Sequence, residues 1–121
     1  MKKVLLWLDD LRNPMENDWL RFSPIGRDVK VVWVKSYDEF ISYLNKPIPL
    51  PDAICFDHDL GEEKTGYDCA KYLVEMCMNM KLRLPKWNIQ SDNQVGKENI
   101  ATYLTNFAKH WYSSSDERVG F

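Results

Sequence analysis

Two short acidic runs, Asp9-Asp10 and Asp57-His58-Asp59, hold the residues of this chain whose types and spacing could do chemistry. Carboxylates brought to one place repel. Two unit charges ~4 Å apart cost about 4 kcal/mol at an effective dielectric near 20, so such a group needs a proton or a cation among its members. Mg²⁺ is the counter-ion that fits the donor type. It is a hard ion that takes oxygen ligands in octahedral geometry, keeps several waters, and typically uses one or two carboxylates with a substrate phosphate. Asp9, Asp10 and Asp57 are the candidate metal ligands. His58 stands beside them with an unperturbed pKa of ~6.5, which allows proton transfer in both directions near neutrality. His58 and Asp59 are therefore the candidate catalytic pair. The structural alternatives are that Asp10 and Asp59 cap loops or helices, as Asp often does after a strand, and that His58 only hydrogen-bonds to its acidic neighbours.

A second group has the types that hold phosphate. Ser91-Asp92-Asn93 precedes a helix whose first turn carries Val95, Gly96 and Lys97. A helix start offers unpaired N–H groups and the positive end of a dipole to an anion. Lys97 adds a point charge, and Arg12, two residues past the first acid pair, adds a planar fork matched to two phosphate oxygens. Arg12, Ser91, Asn93 and Lys97 are the candidate phosphate-binding residues. The alternative is an ordinary N-cap at Asn93 or Asp92 and a solvated Lys97.

These residues must be positioned by the elements between them. Val4–Leu8, residues 29–34 and Ala53–Phe56 are short apolar or β-branched runs that read as strands, the first and third ending in the acids. Residues 85–90, around Trp87 and Ile89, form a weaker fourth strand. Ser36 with Glu39, and Thr65 with Asp68, are capping boxes opening helices on the faces Tyr37/Phe40/Ile41/Leu44 and Cys69/Leu73/Met76/Cys77/Met80. Ile100, Tyr103, Leu104, Phe107, Ala108 and Trp111 line a third helix. Pro14, Pro24 and Gly26 break the segment 11–28, which keeps only a short helix around 16–22. Residues 113–121 read as a tail. Strands alternating with helices predict an α/β fold, a flavodoxin-like three-layer sandwich with a mainly parallel sheet of four or five strands in the order 2-1-3-4. In such a sheet, ligands collect at the carboxyl ends of the strands where the order reverses, which is where both acidic runs lie.

The 121 residues make one domain, with 16 Lys+Arg against 18 Asp+Glu for a formal charge of −2. That balance excludes a broad electrostatic grip on duplex nucleic acid. No apolar run approaches the ~18 residues needed to span a bilayer, and the N-terminal apolar stretch is too short for a signal peptide, so no membrane and a cytoplasmic location are expected. Cys55, Cys69 and Cys77 show no C-x-x-C spacing and lie among apolar neighbours, which predicts reduced core thiols. Trp19 and Trp87, in less regular surroundings, are candidates to stack on a base, with packing the favoured role.

The run Pro51–Asp57, the Asp9-Asp10 pair, and Gly66 with Asp68 resemble the receiver domain of two-component response regulators. The resemblance implies Mg²⁺ held by Asp9, Asp10 and Asp57, with phosphate accepted by Asp57, and a hydroxyl residue at Ser91. A receiver also carries a fifth strand ending in Lys, and no strand-plus-Lys unit follows Ile100–Trp111. A closer resemblance over most of the chain is to the cyclic-phosphate processing receiver domains. Asp9-Asp10-Leu11-Arg12-Asn13-Pro14, Phe56-Asp57-His58-Asp59-Leu60-Gly61 and Ser91–Asn99 carry it, with Gln90 and Gln94 as departures where His and Pro are expected. It implies binding or processing of a cyclic phosphate, nucleotide-derived. The resulting expectation is Mg²⁺-dependent binding and hydrolysis of a phosphate-bearing small molecule or nucleotide. The alternatives are a non-catalytic receiver phosphorylated on Asp57 and a degenerate receiver that binds only a protein partner.

Overall fold

The computed structural model describes residues 1–120, with side chains through Trp111. Strands β1 (Val4–Leu8), β2 (Lys30–Val34), β3 (Ala53–Phe56) and β4 (Lys86–Ile89) alternate with helices α1 (Tyr37–Leu44), α2 (Gly66–Met80) and α3 (Gln94–Gly120). The four strands form one parallel sheet in the order β2-β1-β3-β4. Residues 113–120, expected as a tail, continue α3 as far as Gly120, and Phe121 lies outside the described residues.

β1 and β3 are the central strands. Both are covered on both faces, which is why they read as unbroken apolar runs rather than alternating ones. Successive side chains go to opposite faces. Leu6, Leu8, Ile54 and Phe56 pack with Phe40 of α1, Leu73 of α2 and Leu104 of α3. Leu5, Trp7, Ala53 and Cys55 enter a second cluster with Val29, covered by Trp19, Leu20, Phe22, Ile25 and Trp33. All three helices thus contribute to the first cluster, and the segment between β1 and β2 supplies the third layer. Within that segment the expected helix reduces to a single 3-10 turn, Trp19–Phe22. Asn17 and Asp18 just before it take left-handed backbone angles that no regular helix continues through.

The helix starts follow their capping residues. Thr65 accepts from Asp68 N and Asp68 answers to Thr65 N at 2.8 Å, the full reciprocal box. At α1 the box is only half formed. Ser36 accepts from Glu39 N, but the Glu39 carboxylate reaches one residue further back, to Lys35 N at 3.1 Å. The three thiols are free and buried. Burial pushes Cys55 up to about 12 and Cys77 up to about 11, and raises Cys69 as well, so they are packing residues rather than nucleophiles. Among the described residues, no helix is long and apolar enough to cross a membrane.

Candidate functional site

The ladder hydrogen bonds run one residue past the strands into polar side chains. Asp9 N donates to Val34 O, Asp57 N to Leu8 O, and Gln90 N to Phe56 O, so Asp9, Asp57 and Gln90 are set at adjacent strand ends by backbone pairing alone. One ligand atom from each of Asp9, Asp10 and Asp57 lies within 4.8 Å of the others. Asp9 and Asp57 are buried and Asp10 is half-buried.

Asp9 is fully engaged. Its Oδ1 accepts from Leu11 N and Arg12 N at 3.0 and 2.8 Å, and its Oδ2 accepts from Arg12 Nη1 at 3.2 Å and Gln90 Nε2 at 3.5 Å. Two indoles fix the same loop: Trp33 Nε1 donates to Asp9 O and Trp7 Nε1 to Arg12 O. Composition gave no pointer to these two tryptophans, because an indole N–H works at whatever carbonyl the fold brings to it.

Arg12 is the cation of the cluster. Nη1 lies 3.2 Å from Asp9 and 3.6 Å from Asp57, while Nη2 lies 2.9 Å from Asp92. The guanidinium also stands over the Trp19 ring, 5.2 Å from its centroid, which gives Trp19 a partner within the protein. Burial works against the charge on Arg12, but the hydrogen bond to Asp9 and the fields of Asp9, Asp57 and Asp92 outweigh it and raise the pKa. Asp57 shows the opposite stress. Burial and the field of Asp9 push its carboxyl up to about 8; Arg12 offsets part of this and Asp10 adds to it. One guanidinium does not balance three acids. A cluster of hard oxygen donors in which Asp57, one of two buried members, is driven toward protonation fits a divalent cation such as Mg²⁺. Gln90 Oε1, buried with no hydrogen-bond partner among the described residues, marks the neighbouring end of β4 as incompletely satisfied.

The family described as the cyclic-phosphate processing receiver domain matches residues 4–106. The chain belongs to that family. No curated protein matches it. Among solved structures, it is similar to the bacteriophytochrome response regulator AtBRR, with a TM-score of 0.62, 15% identity, and coverage of 85% of this chain and 76% of that one. It is also similar to the phosphorylated cyanobacterial phytochrome response regulator RcpA, with a TM-score of 0.57, 16% identity, and coverage of 96% and 93%. At such identities the likeness is one of fold, and it agrees with the flavodoxin-like sheet order.

In this cyclic-phosphate processing receiver domain, the cluster opens into a cleft of ≈ 470 Å³ lined by Asp10, Leu11, Arg12, Asp57, Asp59, Gly61, Ser91 and Asp92. Five of the residues singled out from the sequence meet there: Asp10, Arg12, Asp57, Asp59 and Ser91. His58 is set behind them. Its Nδ1 is 2.9 Å from Asp59 Oδ1, and its side chain is 15% exposed. Its ring lies against Gly96, where a Cβ would collide with the imidazole. The hydrogen bond from His58, with help from Asn93, lowers the pKa of Asp59 despite some desolvation. An ionised Asp59 only accepts, so the hydrogen between the two side chains is on His58 Nδ1.

Asn93 is an N-cap and a brace. Its Oδ1 accepts from Gly96 N at 2.9 Å, which fixes the amide and leaves Nδ2 to donate to Asp59 at 3.2 and 3.3 Å. The capping alternative therefore describes its contacts, and it reaches the cleft through Asp59. Lys97 lies in the first turn of α3 and is not among the lining residues. Asp59 is held by His58 and Asn93, apart from the three-acid cluster. Asp92 is a site residue that spacing alone leaves as a capping candidate; only the fold brings it to Arg12, 80 positions away. Gly66 completes the frame. Its N donates to His58 O at 2.8 Å, and a Cβ there would strike the Asp57 carbonyl, so α2 starts against the back of the acidic strand end.

Proposed function

We propose that this domain binds a cyclic phosphate with Mg²⁺ in the cleft and opens its ring by hydrolysis. The observation that carries the reading is Arg12, a guanidinium fixed between Asp9, Asp57 and Asp92 at the cleft wall, where a bound phosphate would meet it. Asp10 and Asp57, with Asp9 behind them, would hold Mg²⁺, which when bound polarises a phosphoryl oxygen and acidifies water. Arg12 and Ser91 contact the phosphate, and Lys97 adds positive charge from the start of α3. Asp59 faces the ligand and takes a proton from the attacking water, and His58 holds Asp59 in place through its Nδ1–H. Attack on phosphorus breaks one ring P–O bond, and the proton is returned to the departing oxygen, so the pair ends as it began.

A second reading has its own support: Asp57 stands at the tip of β3 in a fold shared with response regulators, one of them described as phosphorylated. It would then accept a phosphoryl group. One experiment separates the two. Purified protein with Mg²⁺ is incubated with 2′,3′- and 3′,5′-cyclic nucleotides and, separately, with acetyl phosphate, followed by phosphorus NMR and intact mass. Ring opening that falls about 10²–10⁴-fold in His58→Ala is expected. A one-phosphoryl adduct on Asp57 without ring opening supports the receiver reading. Silence with every substrate, and no Mg²⁺ binding, leaves only a protein-interaction module.

A further inference from the structure

Arg12 has two different kinds of partner. Nη1 faces the buried carboxylates of Asp9 and Asp57, whereas Nη2 is held at 2.9 Å by Asp92, whose side chain is 99% exposed while that of Arg12 is 19% exposed. An ion pair with one arm in water is weak and easily exchanged, and a buried, multiply bonded one is not. The outer arm of the guanidinium is thus occupied by the partner easiest to displace, and that partner lines the cleft.

The lining is also acidic. Asp10, Asp57, Asp59 and Asp92 face a single guanidinium, so even with a divalent cation bound the ionised wall carries more negative than positive charge. A ligand with one negative charge tolerates this better than a ligand with two. We infer that Asp92 is a displaceable placeholder on Arg12 that favours monoanionic phosphodiesters over dianionic phosphate monoesters. The inference rests on the cyclic-phosphate reading and gives it a direction. A cyclic diester carries one charge, and ring opening produces a monoester whose second ionisation lies near pH 6. The product gains a charge in place, and Asp92 returns to Arg12 as the product leaves.

The test uses base-free, inert probes. The whole protein in Mg²⁺ buffer at pH 8 is titrated with dimethyl phosphate, a monoanion, and methyl phosphate, a dianion. Binding is followed by the amide resonances of Arg12, Gly61 and Ser91 and by the Trp7 indole, which donates to Arg12 O. Asp92→Asn should raise affinity for methyl phosphate about three- to tenfold and for dimethyl phosphate only about two- to threefold. Asp92→Glu should keep the wild-type ratio. Binding in which Asp92→Asn leaves the ratio of the two probes unchanged overturns the inference and spares the phosphate site. Failure of both proteins to bind either probe overturns the phosphate site and the inference with it.

Discussion

Arg12→Ala should cost the Mg²⁺-free protein about 3–5 kcal/mol at pH 8 and lower its Tm by on the order of 10–20 °C. Among the described residues, the guanidinium is the one positive side chain that meets Asp9 and Asp57, both buried. Removing it strips the buried Asp9 carboxylate of its counter-charge and pushes Asp57 further toward its protonated form, and that uncompensated burial is the source of the large penalty. The loss should shrink toward pH 5, where Asp57 holds its proton with or without Arg12. Added Mg²⁺ should restore part of it, because a cation between the acids substitutes for the missing one. Thermal or urea unfolding at the two pH values, with and without Mg²⁺, reads all of this. A variant as stable as the parent at pH 8 would show that Arg12 is a surface residue with no electrostatic task.

The second large effect has the opposite sign. Asp57 has its carboxyl pKa raised from an ordinary 3.8 to about 8, chiefly by burial and by Asp9. A group that holds its proton more tightly folded than unfolded contributes stability that is fully present below its unfolded pKa. That contribution is lost as pH rises toward the folded value. Mg²⁺-free protein should therefore weaken between pH 4 and pH 8, other groups aside. Asp57→Asn, which cannot ionise, should be more stable than the parent at pH 8 by about 1–3 kcal/mol, with the gap closing near pH 4. Mg²⁺ narrows the gap. At ten times its Kd a cation stabilises the parent by about 1.4 kcal/mol, and the Asn variant should gain little. Mg²⁺ binding should also release up to about one proton per site below pH 8, measurable as a buffer-dependent heat in calorimetry. Equal stability of the two proteins from pH 4 to pH 8 would show that Asp57 is ordinarily ionised and solvated.

Those effects come from residues that differ in how far they were legible in the chain. β1 and β3 were readable because strands covered on both faces must be apolar throughout, and the acids that end them follow at once. α2 was readable at its first turn because Thr65 and Asp68 satisfy each other's backbone donors without help from the rest of the fold. The segment between β1 and β2 was harder. Pro14, Pro24 and Gly26 indicate that a helix is broken but not what remains, and the surviving Trp19–Phe22 turn is fixed by contacts with Trp7 and Cys55 across the sheet. Glu39 illustrates the same limit on a small scale, since the identity of a capping residue does not settle which of two adjacent N–H groups it takes.

In the site, the metal candidates came together because they sit at neighbouring strand ends, which topology dictates. The pairing of Arg12 with Asp92 and the bracing of Asp59 by Asn93 depend on where the loop after β4 lands. Spacing does not encode that. His58 shows what chemical type can miss. Its imidazole is suited to face the ligand, yet the packing of α3 through Gly96 sets it behind Asp59.

Binding of a divalent cation between the β1 and β3 carboxylates is the claim on which the rest depends, and paramagnetic broadening by Mn²⁺ reads it residue by residue. Substoichiometric Mn²⁺ should erase the amide resonances of Asp10, Asp57, His58 and Gly61 first, and excess Mg²⁺ should restore them. Asp57→Asn should abolish the effect. Broadening spread over exposed acids such as Glu62, Glu63 and Glu98, with Asp57 untouched, would contradict the account.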